Sequence, residues 1–203
     1  MEHIIKNKKG VSMAEMIAYV ALYGVVMSLL ASLVFTIVQA ARKVNRQSIL
    51  NRGATIMYTE ILSETISLNP DAVSPVTKSE DGNTISITFE KKYFYNDEGE
   101  RKPISQSTEY ANKPVKITYS YTKGADNIVV VYTKIDNTTT TSSINLDFKM
   151  TITSYNSEDI DTVFSVDSQN SSNKYVTFHG NLNFDKKAME FNFIIPVFTA
   201  KED

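Results

Sequence analysis

Glu15 is the side chain in this sequence whose surroundings most demand an explanation. From Met16 to Val38 no residue is charged. A carboxylate at the mouth of such a run is costly in lipid and marks a functional site by default. Lys6, Lys8 and Lys9 stand a few residues N-terminal to it, followed by a glycine, Gly10. Other candidate chemistry is sparse. The chain has no cysteine, which removes disulfides, thiolate nucleophiles and cysteine-based metal sites. Its two histidines, His3 and His179, are too few for a histidine-based zinc centre. Gly-x-Ser-x-Gly, phosphate-cradling glycine loops and dinucleotide fingerprints are all missing, so no enzyme, cofactor or metal is expected. His179, beside Gly180, reads as a strand-face or turn histidine. Glu158, Asp159, Asp161 and Asp167 lack the spacing and glycine of a calcium loop and read as a solvated acidic stretch. The run Lys91-Lys92-Tyr93-Phe94-Tyr95 with Arg101-Lys102 has the basic and aromatic mix used on single strands. Residues 69–203 nevertheless carry 14 Lys+Arg against 19 Asp+Glu. That balance argues against broad nucleic-acid binding and for an exposed hairpin with its rings packed inward. Asn137-Thr138-Thr139 and Asn170-Ser171-Ser172 fit the glycosylation acceptor pattern, a match expected by chance in polar loops.

The elements that must position Glu15 follow from periodicity. The apolar run includes Ile17, Val20, Leu22, Val25, Leu29, Leu30, Leu33, Phe35 and Ile37. Its length meets the requirement of about 20 residues for a membrane-crossing helix and exceeds the roughly 7–15 of a signal-peptide core. Val38-Gln39-Ala40 resembles a signal-peptidase site, but the length of the run argues against release there. Arg42, Lys43 and Arg46 balance the cations of the other flank, so charge alone does not orient the segment. Beyond it, Leu50, Ala54, Met57, Ile61, Thr65 and Leu68 recur at helical steps, with Ile49, Ile56, Leu62 and Ile66 widening the stripe. Asn69-Pro70 ends the helix. The pattern then changes to period two at Ile85-Ile87-Phe89, Val115-Ile117-Tyr119-Tyr121, Ile128–Tyr132, Leu146-Phe148-Met150-Ile152, Val176-Phe178-Leu182-Phe184 and Met189–Val197. Asp136 to Ser143 reads as a polar loop. Thr153 to Asn173 reads as a hydrophilic stretch holding one short strand at Thr162 to Val166. The expectation is an α+β fold: a long helix, apolar then amphipathic, whose second half packs on an antiparallel sheet of roughly five to seven strands.

The layout Lys8-Lys9-Gly10-Val11-Ser12-Met13-Ala14-Glu15 before a long apolar run resembles the N-terminus of type IV pilins and pseudopilins. In that family a prepilin peptidase cuts after a glycine following a short basic leader, and the fifth mature residue is glutamate. The resemblance implies cleavage between Gly10 and Val11, N-methylation of Val11, and a subunit-assembly role for Glu15. Val11 departs from the usual phenylalanine, Ala14 is smaller than the family residue, and Ser32 stands where a proline is common. Gly24 falls where many members carry a glycine. The likeness covers about the first fifth of the chain; beyond it only the architecture matches.

The expected organisation is a cleaved leader at 1–10, a transmembrane and filament-core helix half at 11–41, an amphipathic half at 42–68 and a β-rich head at 69–203. The resemblance implies a subunit stored as a single-pass protein of the cytoplasmic membrane, head outside, then assembled into a cell-surface filament. Its partners would be other pilin subunits, the prepilin peptidase, the assembly machinery and, before assembly, membrane lipid. The unusual N-terminal sequence and the large cysteine-free head favour a minor pilin. The alternatives are a pseudopilin of a type II secretion or competence system, and a membrane-anchored binding or adhesive domain that does not polymerise.

Overall fold

The computed structural model describes residues 12–146, 149–155, 160–170 and 173–198. The chain divides into two units, the first ending at Asn45 and the second beginning at Arg46. The fold class is the expected one, a long N-terminal helix followed by antiparallel β-sheets. The helix, α1, spans Met13–Leu68.

In the first unit every described residue of α1 is exposed. Its most apolar stretch reaches a mean hydropathy of 2.3 with none of it buried, long and apolar enough to cross a membrane. In the second unit α1 is amphipathic. Leu50, Gly53, Met57, Ile61, Thr65 and Leu68 are buried, three or four residues apart, which is one face of a 3.6-residue helix. Ile49, Ala54, Ile56 and Leu62 flank that face and are partly covered. Ile66 does not join them: it is 65% exposed, because five positions past Ile61 lies about 140° round the helix. The helix stops where Asn69 adopts φ 48°, with its N–H bonded to the carbonyls of Thr65 and Ile66. Asparagine tolerates this left-handed end position, and Pro70 cannot continue the helix.

Twelve strands follow among the described residues: β1 Ala72–Val73, β2 Thr77–Lys78, β3 Thr84–Glu90, β4 Tyr93–Tyr95, β5 Arg101–Pro103, β6 Lys116–Thr122, β7 Asn127–Thr133, β8 Thr139–Asn145, β9 Thr151–Thr153, β10 Phe164–Asn170, β11 Asn173–Phe184 and β12 Lys187–Phe198. They form two sheets and a ribbon, not one sheet. The six-stranded sheet runs β1-β3-β6-β7-β8 with β2 also on β3; the four-stranded sheet runs β10-β11-β12 with β9 also on β11; β4 pairs β5. Three local expectations are corrected. Of the polar loop expected at Asp136 to Ser143, residues 139–143 belong to β8. The short strand expected at Thr162 to Val166 lies at Phe164–Asn170. Of the alternating run from Leu146, only Thr151–Thr153 is paired, although Leu146 and Met150 are buried; Phe148 lies outside the described residues.

Alternation decides what the six-stranded sheet buries. Ile85, Ile87 and Phe89 of β3, Ile117, Tyr119 and Tyr121 of β6, and Ile128 and Val130 of β7 face one core. On the other face, hydroxyl pairs join β3 to β6: Thr84 with Thr122 at 2.9 Å, Ser86 with Ser120 at 2.8 Å and Thr88 with Thr118 at 2.8 Å. The four-stranded sheet adds Ile152, Val176, Phe178, Leu182, Phe191, Ile195 and Val197 to the same core. The second half of α1 touches both sheets. Tyr119 Oη lies 3.1 Å from Thr65 Oγ1 and donates to the Ile61 carbonyl at 3.2 Å. Tyr58 meets the ring of Phe193 edge-on at 5.3 Å. The two sheets are joined at Tyr121, whose hydroxyl accepts from the Ile152 N–H at 2.7 Å.

Candidate functional site at the start of the helix

Ser12 precedes the helix, and its carbonyl accepts the first helical bond, from the Met16 N–H at 3.0 Å. The Ser12 hydroxyl accepts from the Glu15 N–H at 3.2 Å, and Glu15 Oε2 accepts from the Ser12 N–H at 2.8 Å. These reciprocal bonds are a capping box, in which residues three apart satisfy two amide donors that the first helical turn leaves unpaired. The carboxylate also sits in the first turn, where the positive end of the helix dipole favours it. Glu15 is therefore not an isolated charge. The signal for it in the sequence is the Ser-x-x-Glu spacing ahead of an apolar run, Ser12 to Glu15.

Glu15 and the apolar residues after it are all exposed in the first unit, with Met16, Ile17, Tyr19, Val20 and Tyr23 each more than half exposed. Gly10 and Val11, the expected cleavage pair with Val11 also the expected methylation site, lie outside the described residues.

The remaining candidates are dispersed through the second unit. His179 sits on β11, its Nε2 3.1 Å from Glu190 Oε1 and its ring stacked on Tyr155 at 4.7 Å. Asp161 is paired with Lys78 at 2.6 Å, and Asp167 lies opposite Tyr175 in the β10–β11 register; Glu158 and Asp159 lie outside the described residues. Among the described residues no group of three or more His, Cys, Asp or Glu is placed to hold a metal ion. The basic and aromatic run forms the β4–β5 ribbon. There Arg101 lies 3.7 Å over the Tyr93 ring, Lys102 pairs with Glu100 at 2.8 Å and Lys91 donates to the Asn69 carbonyl at 3.1 Å. Tyr93 and Phe94 are half-buried, but Tyr95 is exposed, so the expectation that all the rings pack inward is corrected. These cations are engaged with carboxylates, carbonyls and rings of their own unit.

No family model, curated protein or solved structure matches the chain.

Proposed function

We propose that this chain is the structural subunit of a type IV pilus-like filament, a minor pilin, stored in the membrane and assembled through its N-terminal helix. One observation carries the reading. An uncharged helical stretch, exposed along its described length, opens on the glutamate of a capping box and continues as a helix whose second half is buried under β-sheets. The first half needs an apolar environment, which lipid supplies before assembly and neighbouring helices supply afterwards. Cleavage between Gly10 and Val11 would free an amine at Val11, later methylated. The amine of an incoming subunit would then meet the Glu15 carboxylate of a subunit already in the filament. In a low-dielectric core such a pair offsets the cost of burying both charges, and it fixes the stagger between neighbours.

A second reading is favoured by the capping box itself. The bonds between Ser12 and Glu15 give this carboxylate a local role that needs no second subunit, as in a single-pass anchor for a domain that does not polymerise. Two substitutions separate the readings. Glu15→Gln keeps an oxygen for the Ser12 N–H but removes the charge; Glu15→Ala removes both. Filament assembly predicts that both variants are cleaved and inserted yet enter filaments poorly when wild-type subunits are present. A purely capping role predicts that Glu15→Gln behaves as wild type and that only Glu15→Ala is impaired. N-terminal mass spectrometry of the membrane-inserted protein reads the processing step: a start at Val11 agrees with the proposal, and a start at Ala41 overturns it.

A further inference from the structure

Strand β8 is the edge of the six-stranded sheet, and it lacks the protection found on the other edges. Open edges offer unpaired backbone groups to other chains, and proteins blunt them with short strands, charges, prolines or bulges. Here β1 and β2 are two residues long, β10 carries Asp167 and a register shift between Ser168 and Asn170, and β12 carries Glu190 and Pro196. By contrast, β8 reads Thr139-Thr140-Thr141-Ser142-Ser143-Ile144-Asn145, with no charge, proline or glycine, and it holds an unbroken register with β7. All of its residues except Ile144 are exposed.

The phase of its hydrogen bonds is fixed at both ends. Lys134 N–H donates to the Thr138 carbonyl at 2.9 Å, and Leu146 N–H donates to the Asp126 carbonyl at 2.9 Å. In an antiparallel ladder bonded pairs alternate with non-bonded ones. Thr140, Ser142 and Ile144 therefore bond to β7, while the N–H and C=O groups of Thr139, Thr141, Ser143 and Asn145 point away from the sheet.

We propose that this edge pairs with β8 of a second copy of the chain, antiparallel, about a two-fold axis at Ser142. The strand is self-complementary in that register. Thr141 faces Ser143 of the second copy and Thr139 faces Asn145, so every outward backbone group finds a partner. Moving the axis to Thr141 or Ser143 leaves some unpaired. Thr141 against Ser143 repeats the hydroxyl-on-hydroxyl pairing already present between β3 and β6, and the paired strands themselves carry no charge. The contact is isologous, one patch meeting itself, as closed two-fold pairs require, and its affinity comes from main-chain bonds as in strand addition generally. It uses no residue of α1, so it stands or falls apart from the role proposed for Glu15.

The absence of native cysteines makes the test direct. At the axis, Ser142 of each copy forms a non-bonded pair, with Cα atoms about 4.5 Å apart in such pairs, a separation that a disulfide spans. Full-length Ser142→Cys protein in detergent, mildly oxidised, is expected to give disulfide-linked dimers, whereas Thr140→Cys, which faces Ile144 of the second copy, gives none above background. Association through the apolar helices would raise both equally. Adding Thr141→Pro to Ser142→Cys removes an outward N–H and should abolish the dimer. Thr141→Lys, whose side chain stays in solvent in the lone chain, should weaken it should the proline variant fail to fold. Equal cross-linking at positions 140 and 142, no dimer from Ser142→Cys, or a dimer unaffected by both changes at Thr141 would overturn the proposal.

Discussion

Tyr119 shows how one residue ties local chemistry to the stability of the second unit. Its ring is fully buried against Phe89 and Phe178, and its hydroxyl reaches Thr65 and the Ile61 carbonyl on α1. Burial pushes its phenol well above the ordinary tyrosine range, and Tyr121 and Tyr132 are shifted the same way, also chiefly by burial. The unfolded chain releases these protons near pH 10, whereas the folded chain holds them. The protons favour the folded state fully below that value, and their contribution is lost as pH rises above it. Stability measured by denaturant titration is therefore expected to fall steeply above pH 10. Tyr119→Phe should flatten part of that fall while costing about 1–2 kcal/mol at neutral pH, since Thr65 loses its partner. An unchanged alkaline profile in Tyr119→Phe would contradict this assignment.

At the scale of elements, two glycines mark close approaches of different kinds. A Cβ on Gly53 of α1 would collide with the end of the Met150 side chain and approach Leu182 Cδ2 at 3.1 Å. A Cβ on Gly180 of β11 would collide with the Thr153 carbonyl oxygen, with Phe191 Cζ 3.1 Å away. A methionine tail can move, and alanine recovers about 1 kcal/mol of helical propensity over glycine. A carbonyl in a strand paired with β11 cannot move without breaking the ladder. Gly180→Ala is expected to destabilise by about 1–3 kcal/mol, the usual cost of overpacking, and Gly53→Ala by clearly less. Chemical denaturation of the two variants side by side reads the order, and a larger loss at Gly53 would show that the helix–sheet contact is the stiffer one.

At the scale of the whole molecule, the second unit depends on the helix that the first unit begins. Leu50, Met57, Ile61 and Leu68 are at most 5% exposed, and burying each such side chain contributes about 1.5–3 kcal/mol. Their sum is comparable with the entire stability of an ordinary domain, about 5–15 kcal/mol. A fragment of residues 46–203 is thus expected to unfold cooperatively, while one of residues 71–203 exposes the inner faces of both sheets and aggregates. Sedimentation and denaturant titration of the two fragments test this. Cooperative unfolding of the shorter fragment would mean that the sheets close their core without α1.

Much of this architecture is set by local periodicity and was legible without the structure. The uncharged run, the buried stripe from Leu50 to Leu68, the stop at Asn69-Pro70 and the β6–β7 hairpin turning at Gly124, with φ 80°, all rest on neighbours close in sequence. Glu15 stood out for the same reason, although its bonds to Ser12 required reading a spacing of three rather than a contrast of polarity. Pairing decided the rest. Strand β8 carries almost no apolar alternation because nearly all its residues are exposed, so only β7 beside it makes it a strand. The division into two sheets, the join at Tyr121 and the reach of Tyr119 to Ile61, 58 positions away, depend on contacts between residues far apart in the chain. Such contacts are chosen by how the faces fit together in three dimensions, which a local pattern of polar and apolar residues does not encode.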